Sequence, residues 1–417
     1  MQQHLLLKIG LFFLGIQLLS CEGQTPLPQR ELIDSMDFFF EESSGEIPSF
    51  ISINSQEDGK HIYTFSPVAS ETHQVSIPQN LQAEAYTISY ISDASYTYLG
   101  KKVMVRTFRD IRTKSIVHSA PDEFTYDYKK LTISSSSPIE AFINGPGGNY
   151  YNKIAPDGLS AKLELGVTSL SGRGRVIIAK LQDENAYRYY SFEDPMLYPG
   201  DSLDISTFST VNQVQEISLD NKVRSGRMAY YTLYPGQQKL GKIYDSYKMG
   251  FTPGFPLISG DFTYFSTGDF FNEDGSRGIF VSKGIEQELK PLDFNIDVSD
   301  PTFSGFQQNI SAVDIQANSF QGEHYFWHHF DGIWEGFQVI KPELSQEVLD
   351  KFPDLAKDSE LYASTLFRKK PGPDIAYDDL VLPANRFFFS FYQSSPAYPY
   401  YTKEGEIFLM EAMVIKF

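Results

Sequence analysis

The chain has one cysteine, Cys21, among 417 residues. No internal disulfide can form, so the fold must rest on buried apolar area. Tryptophan is nearly as scarce, with two residues, and both fall between Phe320 and Phe337. Basic residues are in deficit: 35 Lys and Arg stand against 53 Asp and Glu, for a net charge of −18. That balance excludes nucleic acid, whose phosphates need a basic face, and a polybasic membrane-surface site. An acidic, well-solvated surface accounts for it. Long apolar runs are missing too. The longest, Leu5 to Leu19, contains Lys8 and is about fifteen residues, short of the roughly twenty a spanning helix needs.

That first run suits the hydrophobic part of a secretory signal. It ends at Leu18-Leu19-Ser20-Cys21, which resembles the lipobox of bacterial lipoproteins: a large aliphatic residue three before the cysteine and a small one just before it. Leu19 is bulkier than the residue usual at its position. The resemblance covers the first twenty-one residues. It implies cleavage after Ser20 and a lipid anchor on Cys21 in the cell envelope, in the outer membrane of a Gram-negative bacterium. It also explains the lone cysteine, otherwise a reactive thiol or a site of intermolecular bridging. At about 0.8 kcal/mol per buried methylene, two or more acyl chains hold stably where one does not.

Roughly 395 residues would then remain, more than one core organises, which predicts two to four domains. Their composition points to strands. Tyr (26) and Phe (34) abound, and aromatic residues fit a pleated, half-buried surface. Ala161 to Val167 alternates apolar with polar residues. Tyr86, Ile88 and Tyr90 share one face, with Ala85, Thr87 and Ser89 on the other; Phe387, Phe389 and Phe391 form a similar row. Glu406 to Phe417 is apolar on nearly both faces, as in the middle of a sheet. Asp58-Gly59, Gly147-Gly148, Asp157-Gly158, Pro199-Gly200, Pro235-Gly236 and Asp274-Gly275 supply turns. Only Pro342 to Lys357 reads as helical, with Leu344, Val348, Leu349 and Phe352 on one stripe and Pro353 near its end.

The predicted class is all-β: tandem immunoglobulin-like β-sandwiches with one short helix in the C-terminal part. The predicted units are a signal peptide over 1–20, a lipidated N-terminus and linker over 21–47, sandwiches over 48–130 and 131–221, and a larger C-terminal β region over 222–417. The last is either one domain or two sandwiches. The linker, polar and proline-bearing apart from Met36 to Phe40, would lift the body off the membrane.

Motifs that could carry chemistry are incomplete. Gly200-Asp201-Ser202-Leu203 spells a serine-esterase signature, but it lies deep in the chain. No histidine has Asp three residues before it to complete the base, so the segment reads as a turn. Asp293-Phe294-Asn295-Ile296-Asp297 opens like a calcium loop, yet Val298 stands where glycine is required. Asp269, Asn272, Glu273 and Asp274 precede Gly275 as a hairpin tip, where a structural calcium is the one cofactor considered; otherwise none is predicted. His324, His328 and His329 diverge on a strand, against the convergence zinc needs. These residues predict no catalytic set.

The aromatic stretch offers a binding surface instead. Trp327 and Trp334, with Asp331, Glu335 and Gln338 beside them, suit stacking against sugar rings. A tryptophan-rich core with its indole N–H groups satisfied fits the same residues. Tyr398, Tyr400 and Tyr401 form a second aromatic loop with the same two readings. A lipobox, a short linker and tandem sandwiches resemble, in layout, the surface glycan-binding lipoproteins of Bacteroidetes. Asp34-Ser35-Met36 and Asp201-Ser202-Leu203 also fit that phylum's short O-glycosylation pattern. The resemblance implies a non-catalytic, membrane-tethered binding protein for glycan. The alternative is a structural or interaction subunit with a protein partner in the envelope.

Overall fold

The computed structural model describes residues 31–42, 47–93, 103–118, 126–142, 151–168, 175–182, 186–192, 202–233, 241–245, 254–294, 315–331, 340–369 and 409–416. The fold is all-β and sandwich-type. Seven strands come first: β1 (Ser35–Phe40), β2 (Phe50–Ser55), β3 (His61–Phe65), β4 (Thr72–Ser76), β5 (Tyr86–Asp93), β6 (Val103–Ile111) and β7 (Ser115–His118). Next are β8 (Tyr126–Ser134), β9 (Ile139–Phe142), β10 (Tyr151–Ile154), β11 (Ser160–Thr168), β12 (Arg175–Leu181), β13 (Ala186–Phe192), β14 (Ser202–Asp204) and β15 (Ser209–Thr210). Then come β16 (Gln213–Gln215), β17 (Ser218–Leu219), β18 (Val223–Leu233), β19 (Gly241–Asp245), β20 (Phe255–Leu257), β21 (Thr263–Asn272), β22 (Arg277–Lys283) and β23 (Glu288–Leu289). β24 (Ile315–Gln321), β25 (Tyr325–Asp331), the helix α1 (Gln346–Lys351), β26 (Glu360–Lys369) and β27 (Met410–Lys416) complete the order.

One sheet of twelve strands dominates, in the order β19-β18-β21-β22-β27-β26-β24-β25-β6-β5-β2-β3. Its early and late strands meet at one seam. β25 runs parallel to β6, with Trp327 beside Val105 and His329 beside Thr107. β27 lies between β22 and β26, antiparallel to both. β27 is apolar on both faces because both are covered: Met410, Ala412 and Val414 enter one core, and Met413 and Ile415 are buried on the other side. The strands expected in separate units, 48–130 and 222–417, thus lie in one hydrogen-bonded layer.

One face of this sheet is covered by a three-stranded sheet, β4-β1-β7. Met36, Phe38 and Phe40 of β1 pack into a core with Ile53, Tyr90, Phe108, Phe330, Phe367 and Val414. These residues fall within the stretch expected as a linker, 21–47. From Ile33 to Phe40 the chain contributes to the core, because the alternate apolar residues of β1 point inward while Asp37 and Phe39 are half-buried. A short apolar run inside a polar segment is enough for an inner strand when a larger sheet supplies the opposing face.

The other face is covered near β25, β6 and β5 by α1 and the short 3-10 turn Pro353–Ala356. Val348, Phe352 and Leu355 bury against Phe50, Ile91, Val105, Tyr325 and Trp327, with Leu344 and Leu349 packed at the margin. The segment leading into α1 is stapled to the β2–β3 hairpin. Asn54 Nδ2 donates to the carbonyls of Gly59 (3.0 Å) and Glu343 (2.7 Å), and Glu343 N donates to Gly59 O at 2.9 Å. Gly59 has φ +71°, and an added Cβ would lie 2.9 Å from the Ile340 side chain, so glycine is required there on both counts.

Residues 126–210 build a separate pair of four-stranded sheets, β10-β11-β8-β14 and β15-β13-β12-β9. Leu131, Ile133, Leu163, Ile177 and Phe208 fill the space between them. Val176, Ile178 and Tyr187 from this sandwich join Met228, Tyr230 and Phe255 in a further core. Ser202 and Leu203, read from the sequence as part of a turn, instead belong to β14, which pairs parallel with β8. Asp204 then caps the following 3-10 turn by accepting from Ser206 N at 2.8 Å.

Candidate functional site

β25 carries the most chemistry-bearing side chains, and its two faces are distinct. Tyr325, Trp327 and His329 point toward α1; Phe326, His328 and Phe330 point the other way. Both rows are buried.

On the α1 side, Trp327 is only 1% exposed. Its Nε1–H donates to Thr107 Oγ1 at 2.8 Å, and Thr107 Oγ1 lies 2.8 Å from Ser89 Oγ. The His329 ring stacks beside the indole, centroids 5.4 Å apart and planes 9° apart, and Lys341 Nζ sits 4.9 Å from the indole centroid. Partial burial holds the Lys341 amine below the ordinary lysine value. Trp327 therefore takes the second of its two expected readings, a core residue with its indole N–H satisfied. A stacking platform needs an open ring face, and neither a buried indole nor its satisfied N–H is available to a sugar.

His329 Nδ1 is buried with no hydrogen-bond partner among the described residues. Burial first, then the charges of His328, Lys341 and Arg109, push its pKa down to about 3. It is a neutral imidazole across the physiological range.

The opposite face holds a pair that only strand register brings together. Ser319 and His328 are direct cross-strand neighbours of β24 and β25, with Ser319 Oγ 2.8 Å from His328 Nδ1. A Ser–His contact of this length is the first element of a nucleophile and base. Here Ser319 is fully buried, and burial together with the Arg106 charge brings His328 down to about 3. A base that weak, next to a hydroxyl no substrate reaches, makes a structural hydrogen bond.

The remaining predicted positions are scattered. Asp331 ends β25 opposite Gln316. Cys21, Trp334, Glu335, Gln338, Tyr398, Tyr400 and Tyr401 lie outside the described residues, as do Phe387, Phe389 and Phe391. The hairpin considered for calcium uses its carboxylates otherwise. Arg277 grips Asp269 in a bidentate pair, Nε–Oδ1 2.6 Å and Nη2–Oδ2 2.8 Å. Asp274 Oδ1 accepts from Ser276 N and Oγ, and Asn272 Nδ2 donates to Ser276 Oγ. Asp269 and Asn272 stand on opposite faces of β21, which explains why three neighbours in sequence do not converge. Among the described residues no group of three or more His, Cys, Asp or Glu is arranged to hold a metal, and no helix is long and apolar enough to cross a membrane.

No protein-family model matches the chain, and no curated protein matches it.

Proposed function

We propose that this is a lipid-anchored, extracytoplasmic binding protein of the bacterial cell envelope, held by Cys21 and acting without catalysis. The observation that carries the reading is Leu18-Leu19-Ser20-Cys21, with the chain's sole cysteine at its acceptor position. Two structural facts support it. The body is built of β layers in which hydroxyls and an indole bond one another inside the sheet, as Ser89, Thr107 and Trp327 do. The one Ser–His contact described, Ser319 with His328, is buried and weakly basic.

The ligand class we favour is glycan, with recognition on Trp334, Glu335, Gln338, Tyr398 and Tyr400. The withdrawal of Trp327 into the core favours the second reading, a structural or interaction subunit that scaffolds an envelope partner. Mass spectrometry of the N-terminal peptide from envelope fractions tests the anchor: an acylated Cys21 supports it, and an intact leader or a free thiol removes it. A glycan array run with the wild type and with Trp334→Ala and Tyr400→Ala separates the two ligand readings. Retention lost in either variant supports glycan; no retention, or retention unchanged in both, leaves the interaction subunit.

A further inference from the structure

We infer that the end of the fold formed by Leu32, the 3-10 turn Gln79–Leu81 and Lys114 rests on the bilayer that holds the anchor; this depends on the acylation of Cys21 proposed above. The argument begins with reach. The chain enters the fold at Glu31, ten residues on from Cys21, and even fully extended those residues span at most about 35 Å. The twelve-stranded sheet is wider than its tether is long, since strands spaced at about 4.8 Å make it roughly 53 Å across. The entry end therefore stands no more than about 35 Å from the bilayer that holds the anchor, nearer than the far side of so wide a sheet has to be.

That end has the surface a headgroup layer accepts. Leu32 is 52% exposed and Leu81 41% exposed. Their segments are fixed side by side: Ile33 forms a bridge with Ala83, and the Tyr86 hydroxyl lies 2.9 Å from Leu81 O and 3.2 Å from Ile33 O. One cation meets two carboxylates beside Leu32: Lys114 Nζ lies 2.7 Å from Glu31 Oε1 and 3.6 Å from Asp34 Oδ1, which leaves one negative charge uncompensated. With no excess of cations at this end, a contact made by the two leucines does not depend on anionic lipid. The contact is weak alone, and the tether supplies the proximity it needs.

The lone cysteine makes the test clean. Once Cys21 is a thioether, an introduced cysteine is the only thiol. Leu81→Cys and Leu32→Cys report the entry end. Val68→Cys reports the other end of β1, where Ser70 N meets Phe40 O. Each lipidated variant is labelled with an environment-sensitive fluorophore and reconstituted in phosphatidylcholine vesicles bearing a headgroup nitroxide. Quenching at positions 81 and 32 severalfold above that at 68, insensitive to salt, is the expected result. Equal or stronger quenching at 68, in protein that floats with the vesicles and shows an acylated Cys21, overturns the assigned face alone. Absence of the acyl mass removes the anchor and this face together.

Discussion

Thr107 accepts the indole N–H of Trp327 at 2.8 Å across the parallel strands β6 and β25, and its own oxygen lies 2.8 Å from Ser89 of β5. Three strands, two from early in the chain and one from near its end, are thus joined by one hydroxyl. Thr107→Val leaves the buried indole donor without a partner, and the unfolding free energy should fall by about 1–3 kcal/mol. Thr107→Ser, which keeps the oxygen, should recover most of the loss. Urea denaturation of the two variants decides it; equal stabilities would mean that the bond contributes nothing.

His328 and His329 set an acid limit. Both are neutral in the fold, with pKa values near 3 against 6.5 for the unexposed-to-charge reference, so the unfolded chain binds their protons first. Their contribution is fully present above pH 6.5 and is lost progressively as pH falls from 6.5 toward 3. The slope is at most about 1.4 kcal/mol per pH unit for each histidine. Above pH 5 the carboxylates with ordinary values hardly titrate, so the decline between pH 6.5 and 5 belongs mainly to histidine. His328→Gln should flatten that part of the profile whatever it does to stability at pH 7.5. A slope unchanged in this variant and in His329→Gln would place the titration elsewhere.

The Asp269–Arg277 pair makes a contrasting prediction about metal. Both carboxylate oxygens of Asp269 are held by the guanidinium. Millimolar calcium or a chelator should leave the melting temperature unchanged. Arg277→Ala should cost about 1.5–3 kcal/mol, the range for hydrogen bonds to charged groups. Melting curves with and without calcium check both; a calcium-dependent rise in the wild type would count against the pairing.

β1 offers the largest single effect. Phe38 is fully buried and meets the Phe65 ring edge-on at 5.2 Å. Phe38→Ala should destabilise by about 3–5 kcal/mol, whereas a linker residue would tolerate the change. Chemical denaturation of that one variant distinguishes the two.

What was legible in the sequence follows from local rules. Tyr86, Ile88 and Tyr90 share the face they were expected to share, opposite Thr87 and Ser89. α1 lies inside Pro342 to Lys357, with Val348 and Phe352 inward and Lys351 its last residue before Pro353. Gly59, Gly158 and Gly275 all take positive φ at turns. What was not legible depends on which strand meets which. Alternation separates the faces of β5 but does not tell that the Ser89 face is dry, because burial there rests on Trp327 and α1, far along the chain. The Ser319–His328 contact exists only through the register of β24 on β25. Trp327 could be read as platform or core because the residues that cover it, Thr107 and Lys341, are set by tertiary pairing. Asp269 reads as a metal ligand until its partner on the neighbouring strand is known.

The place of β27 has a consequence in time. It is the last described strand, and it lies between β22 and β26. Until it arrives, the strands on its two sides form two incomplete ribbons, each with an open row of backbone donors and acceptors. A chain emerging from its amino end therefore carries two open strand edges, on β22 and β26, until Met410–Lys416 has been delivered. Any product stopped short of Met410 is left with both seams unsealed, so the twelve-stranded sheet closes only once β27 is made.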